Sequence, residues 1–214
     1  MRTLSEADSK QLLAAHGVFV PDERLVGDAD AAALAAAQLG YPVVVKLCGA
    51  RIAHKSERKL VRLGLRDADA VRGAAADLLN AATAADGEVA VLVAPMVKGN
   101  RELIAGLADD PQFGMTVMIG VGGVLAEAVA DAAFRLVPIT RIDAEEMIDD
   151  LSTQRLLAPF RGEPAVVRGK LVDILVGLSD AAEANPAIRS ADLNPLIVVE
   201  GQPIAVDALV ELQS

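Results

Sequence analysis

The chain has 214 residues, 30 acidic against 20 basic, and a net charge of -10 at neutral pH; with no basic run or aromatic cluster, no nucleic-acid partner is expected. Cys48 is the only cysteine, which excludes an intramolecular disulfide, and residues 1–17 do not read as a secretory signal. No run approaches eighteen uninterrupted apolar residues, so no membrane association is expected, and the chain is read as cytoplasmic, with length for one large domain or two lobes.

In chain order, Ser5 reads as an N-cap and Gly17 as a stop, framing a first helix that carries Leu12 and Leu13. A short extended segment at 24–26 leads to a helix over 28–39 that ends at Gly40. Residues 42–47 are apolar apart from Lys46, which predicts a strand buried on both faces. Polar residues over 49–58 predict a loop, and Val61, Leu63 and Leu65 alternate with Arg62, Gly64 and Arg66 as in a half-exposed strand. A helix over 67–84 and a buried strand over 88–93 follow. The stretch 95–100 is the expected boundary between lobes, placed at 1–94 and 95–214. Beyond it, strands are predicted over 101–107, 115–119, 124–129 and 134–137, and helices over 144–150, 153–160 and 164–184, with Pro164 in the first turn of the last. Helices and antiparallel strands in two lobes predict an α+β fold.

The C-terminal segment carries the most informative pattern. Residues 196–199 and 204–207 read as a hairpin; with Gly201 and Gln202 at the tip, Leu196 pairs with Asp207. Alternation then puts Asp192, Asn194 and Leu196 on the face of Asp207. A carboxylate and a carboxamide, Asp207 and Asn194, suit a hard divalent cation such as Mg2+, which keeps waters and takes nucleotide phosphate oxygens; the alternative is that Asp192 and Asn194 only shape a turn before Pro195.

Other groups point the same way with alternatives open. An ammonium inside the 42–47 strand needs an anion, either a phosphate or a protein carboxylate, or must reach an edge, so Lys46 is a candidate phosphate ligand. Glu102 and Glu127 project among apolar neighbours and need a cation or a donor; ion pairs with Arg101, Arg135 or Arg141 would also serve. Gly120-Val121-Gly122-Gly123 could form an amide nest for a phosphate, although neither a Walker A loop nor a dinucleotide fingerprint is present. His54, in the polar loop with Lys55 and Ser56, could accept a phosphoryl group or be an ordinary loop histidine. Arg161 either faces a phosphate or opens the loop before Pro164.

Taken in order, Ser5-Glu6, Gly40-Tyr41-Pro42-Val43-Val44-Val45-Lys46, His54-Lys55-Ser56, Glu102-Leu103-Ile104-Ala105-Gly106, Asp110-Pro111-Gln112-Phe113-Gly114, residues 120–127, Asp131 with Phe134-Arg135-Leu136-Val137-Pro138, Arg161-Gly162, and residues 192–196 with Asp207 form an ordered set. This set resembles the ATP-grasp domain of the ADP-forming acetyl-CoA (acyl-CoA) synthetases, related to the β chain of succinyl-CoA synthetase. The resemblance implies two α/β lobes that clamp a nucleotide, with ATP or ADP and Mg2+ as cofactors. It implies that Lys46 holds phosphates, that Val93, Pro95, Met96 and Val97 line the adenine pocket, and that Gly122, Gly123 and Arg161 contact the nucleotide. Asn194 and Asp207 would bind the metal with Asp192 in support. His54 would carry the phosphoryl group, Glu102 would stand near the phosphohistidine or metal, and Arg135 would contact phosphate. The implied enzyme is an acid-CoA ligase, inactive without a CoA-binding α subunit or fused CoA-binding and ligase domains, and a hetero-oligomer is expected. One departure stands out: after His-Lys-Ser the family has an acidic residue and Gly-Gly-Val, where this chain has Glu57-Arg58-Lys59-Leu60-Val61. That departure motivates a second reading, a non-catalytic nucleotide-sensing module, and a third is a stand-alone carboxylate-amine ligase.

Overall fold

The computed structural model describes residues 2–52, 55, 57–123 and 129–213. The chain forms two compact units: Thr3–Asp8 with Pro21–Met96, and Met1–Arg2 with Ser9–Val20 and Val97–Ser214. A single cut at 94/95 therefore misassigns residues 9–20: the first helix, α1 (Glu6–Ala14), gives its first turn to the smaller unit and the rest to the larger. Hydrophobic pattern alone cannot report this, because it marks Leu13 and Val18 as buried without naming the core that buries them.

The smaller unit is a four-stranded antiparallel sheet in the order β2 (Arg24–Val26), β5 (Ala90–Pro95), β3 (Val43–Cys48), β4 (Val61–Leu65). Helices α2 (Ala29–Leu39) and α3 (Ala68–Asn80) cover one face. Each begins at an aspartate whose carboxylate accepts the third-residue amide, Asp28 from Ala31 N and Asp67 from Ala70 N, both at 2.8 Å. The core joins Ala32 and Ala36 of α2, Val71, Ala75 and Leu78 of α3, and Val43, Val45, Leu47, Val91 and Val93 of the sheet. Alternation thus sends Val43, Val45 and Leu47 towards the helices and Val44, Lys46 and Cys48 to the other face, and all six are buried, as expected for this strand.

The larger unit is built on a sheet in the order β1 (Arg2–Thr3), β11 (Leu209–Leu212), β9 (Ile188–Val199), β6 (Arg101–Asp110), β7 (Gly114–Val121), β8 (Ala132–Leu136), with β10 (Gln202–Ala205) also paired to β9. Helices α4 (Arg141–Asp149) and α5 (Arg168–Ala184) pack against β6, β7 and β8. Thr140 and Asp143 form a reciprocal capping box at the start of α4.

Two helical expectations fail here. Residues 153–160 hold only a 3-10 turn at Gln154–Leu156, and α5 begins at Arg168 rather than near Pro164. Arg101 is the reason for both. It is 2% exposed on the core side of β6, and its guanidinium donates to the carbonyls of Leu156, Ala158 and Pro164 and to the Glu163 carboxylate. Those carbonyls serve a buried cation instead of a helix. Asp131 adds to this by accepting from the amides of Ser152 and Thr153. The strand expected at 124–129 lies outside the described residues but for its last position. No helix among the described residues is long and apolar enough to cross a membrane.

Candidate functional site

In the larger unit the expected oxygen ligands sit where β9 is irregular. Against β6, β9 pairs Leu196 with Leu103 but Leu193 with Ala105, so Asn194 and Pro195 together oppose Ile104 as a bulge. The bulge reverses the faces of β9. Leu193, Leu196 and Val198 are buried on the core side, while Asp192 and Asn194 are exposed. Leu196 therefore does not share a face with Asp192 as unbroken alternation requires. Asp192 pairs with Gly106, on the face that also carries Glu102 and Ile104.

The hairpin also differs in register. Gln202 pairs with Val199 and Ala205 with Leu196, so the tip is Glu200-Gly201, both with positive φ (49° and 81°), a type I′ geometry. β11 continues the same count, Leu209 opposite Asp192, and Val206 N donates to Pro195 O at 3.3 Å between them. Asp207 thus falls opposite Asn194, two residues closer than the sequence-derived register has it. Asp192 feels the result: surrounding protein, and then the charge of Asp207, push its carboxyl above the ordinary range. Two carboxylates and a carboxamide are oxygen donors of the kind a hard divalent cation takes. No group of three or more His, Cys, Asp or Glu among the described residues forms an all-protein metal cage.

Glu102 lies against Gly122 and Gly123. Gly122 N donates to Glu102 O at 2.9 Å; a Cβ on Gly122 would stand 2.9 Å from the Leu103 carbonyl, and one on Gly123 3.1 Å from Glu102 Oε2. The glycines thus permit a close approach to β6 and its carboxylate. Arg135 is taken up by α4, 2.7 Å from Asp150 and 3.9 Å from Glu146, so in this state its guanidinium answers acidic side chains rather than a phosphate. Arg161 and Gly162, both at positive φ, form the exposed tip between the bridged residues Phe160 and Glu163, and Arg161 stacks over the Phe160 ring.

In the smaller unit Lys46 is 8% exposed and its Nζ donates to Glu6 Oε1 at 2.6 Å; Lys55 Nζ lies 3.0 Å from Glu6 Oε2. The protein carboxylate is thus the partner shown for the strand lysine, and one buried glutamate serves two buried ammonium groups. The neighbouring Cys48 thiol is pushed up, chiefly by burial. Val93 is wholly buried in the sheet core, whereas Pro95, Met96 and Val97 are partly exposed, with Met96 N donating to Pro42 O; Val97 begins the larger unit. His54, Ser56 and Glu127 lie outside the described residues.

Sequence reasoning missed Glu6, Lys55, Arg58 and Asp86 as site-shaping groups. Arg58 makes a two-pronged ion pair with the 3% exposed Asp86, at 2.7 and 2.9 Å, and this pair, ahead of bonds from Thr83, holds the Asp86 carboxyl well below the usual range. The prior signals were the need of Lys46 for an anion and the place of Glu6 and Lys55 in the ordered motif set, neither of which names the pairing.

Two antiparallel sheets with helices over them, one holding a buried lysine on a carboxylate and the other an acidic pair, define an α+β protein. The chain matches the family described as the ATP-grasp domain over residues 1–212 and belongs to that family. It is 37% identical, over 97% of its length and 91% of the relative's, to the acetate–CoA ligase [ADP-forming] II subunit beta of Pyrococcus furiosus. Among solved structures it is similar to the dinucleotide-forming acetyl-coenzyme A synthetase 1 of Ca. Korarchaeum cryptofilum. The complex with coenzyme A, Ca-AMPCP and HgCl+ has a TM-score of 0.90 at 32% identity, covering 99% of this chain and 94% of that one. Another, with coenzyme A and Mg-AMPPCP and its phosphohistidine segment pointing towards the nucleotide binding site, has a TM-score of 0.83 at 34% identity, covering 97% and 92%.

Proposed function

We propose that the chain is the nucleotide-binding subunit of an ADP-forming acyl-CoA synthetase, and that it relays a phosphoryl group between His54 and ADP in the balanced reaction acyl-CoA + ADP + phosphate to acid + ATP + CoA. The observation that carries this reading is the near full-length likeness to a β subunit of an ADP-forming ligase, joined to the Asp192–Asp207 pair on an open sheet face. Phosphoryl transfer asks for positioning and charge neutralisation. Lys46, drawn from Glu6, would meet nucleotide phosphates; Asp207, Asn194 and Asp192 would hold Mg2+, which supplies charge neutralisation at the phosphates when bound. Glu102, fixed beside Gly122 and Gly123, would orient the phosphohistidine; Met96 and Val97, with Pro95, would form the adenine side, and Val93, buried in the helix-covered core, would not. Arg135 and Arg161 would have to leave their present partners to touch phosphate. The complete reaction needs a CoA-binding partner, as a separate α subunit in a cytoplasmic hetero-oligomer or as fused domains.

Calorimetric titration of the purified chain with ATP and ADP tests the reading. Binding that requires Mg2+ and is abolished in Asp207→Ala is the expected result; the same affinity with and without Mg2+, or none at all, refutes it. His54→Ala should retain nucleotide binding and form no acid-labile phosphohistidine from Mg·ATP.

A further inference from the structure

In the larger unit, the chain from Leu156 to Val167 folds back on itself, and both limbs are pinned at their base. At β6 the Arg101 guanidinium takes the carbonyls of Leu156 and Ala158 from the outgoing limb, at 3.3 and 3.2 Å, and that of Pro164 from the returning one, at 2.7 Å. The Glu163 carboxylate receives Arg101 Nε at 3.2 Å and Asn100 Nδ2 at 2.5 Å. At the β9–β10 hairpin, Val167 N donates to Gly201 O at 2.8 Å. Between the limbs, Val166 N donates to Leu157 O at 2.9 Å, and Phe160 and Glu163 exchange amide–carbonyl bonds of 3.1 and 2.9 Å. The two residues left at the tip, Arg161 and Gly162, take φ 48° and 84°, as in a type I′ turn. An arginine at positive φ is uncommon and persists where its surroundings fix it. Yet the charge so held is exposed, and among the described residues no carboxylate forms an ion pair with it; the guanidinium rests 5.2 Å from the centroid of the Phe160 ring. The strands that pin this turn are those that carry the candidate ligands: Glu102 follows Arg101 in β6, and Asp192 and Asn194 lie in β9.

We infer that Arg101 and Glu163 are positioning residues for anion recognition: they brace the turn that presents Arg161 to the phosphates of the nucleotide. The inference deepens the proposed function and rests on it. The Arg161 side chain swings from the Phe160 ring to a phosphate while the backbone stays where Arg101 holds it. A guanidinium offers a phosphate two parallel N–H donors. A turn that is ordered beforehand does not have to be ordered by the ligand, and that difference appears as affinity.

The test is a double-mutant cycle on the full-length chain, read as Mg·ADP affinity by calorimetry. Arg161→Gln removes the guanidinium. Glu163→Ala removes the carboxylate and leaves Arg101 its three carbonyls, and Arg101→Lys keeps the buried charge but loses the planar fork. The expected result is binding weaker by about tenfold or more in Arg161→Gln and by about threefold or more in each brace variant. Either brace variant combined with Arg161→Gln should bind within about twofold of Arg161→Gln alone, because a brace acts only through what it presents. Parent-like affinity in Arg161→Gln overturns the phosphate contact. Parent-like affinity in Glu163→Ala, or losses that multiply in the double variants as a general structural effect would make them, overturns the positioning role. Should Arg101→Lys fail to fold, the Glu163→Ala cycle decides alone. A parent chain that binds no Mg·ADP overturns the proposed function, and this inference with it.

Discussion

Glu6 neutralises two ammonium groups in a place where water cannot, and its removal is correspondingly severe. Deleting one partner of a buried ion pair leaves an uncompensated charge and typically costs about 3–5 kcal/mol, so Glu6→Ala is expected to lower the free energy of unfolding by that order in a urea titration. Lys46→Met should be milder, because Glu6 keeps Lys55. Asp192 behaves in the opposite sense. Its folded carboxyl is raised above the unfolded value of about 3.9, so the stability it contributes is present below that pH and is lost as pH rises through the folded value. Metal-free Asp192→Asn should therefore unfold at a higher temperature than the parent at pH 7 and at the same temperature near pH 3, while binding Mg2+ more weakly; a parent-like melting temperature at pH 7 would contradict the repulsion with Asp207. Asp86 has the reverse sign: its depressed carboxyl contributes stability above about pH 3.9 that is lost only as pH falls through its much lower folded value. The Arg58–Asp86 ion pair should accordingly persist under mild acid.

At the scale of elements, the hairpin tip offers a direct measurement. Gly201 combines φ 81° with a Cβ position only 2.5 Å from Ala165 O, and Gly201→Ala should cost about 2 kcal/mol or more. Glu200, at φ 49°, is a poor occupant of its place, and Glu200→Asn should add roughly 0.5–1 kcal/mol in the same denaturation assay. These two residues also show how far the sequence could be read. Alternation placed the two strands, because apolar faces are specified residue by residue. It missed the tip by one residue on each side, since Glu200 carries no signal for positive φ, and it missed the bulge at Asn194-Pro195, which depends on how β9 meets β6. Ser5 marked the first helix start correctly because capping is local, and the starts read at 28 and 67 fall on the aspartates that cap α2 and α3. Arg101 and the 3-10 turn it enforces were illegible, since nothing near Arg101 in the chain names carbonyls some 55 to 63 residues away. For the same reason Lys46 announced the need for an anion, but not that Glu6, 40 residues earlier, meets it.

At the scale of the molecule, α1 is divided: Thr3–Asp8 belong to the smaller unit and Ser9–Val20 to the larger. A fragment comprising only residues 21–96 keeps all four strands of its sheet but lacks the carboxylate that Lys46 and Lys55 share. It is expected to show no cooperative urea transition, and extending it to include residues 1–20 should restore one; a sharp transition in the shorter fragment would show that the two lysines tolerate the loss. The larger unit makes the complementary demand on the two ends of the chain. Ser9 Oγ accepts the amide of Val210, 201 residues away, and β1 lies beside β11 at the margin of the sheet. During synthesis Ser9 must therefore wait for Val210 before its final neighbour exists, while strands β2 to β5 already have theirs. A permuted gene that joins residue 213 to residue 2 through a short linker would bring those neighbours together from the outset, and would speed maturation of the larger unit without altering one side chain of its sheet.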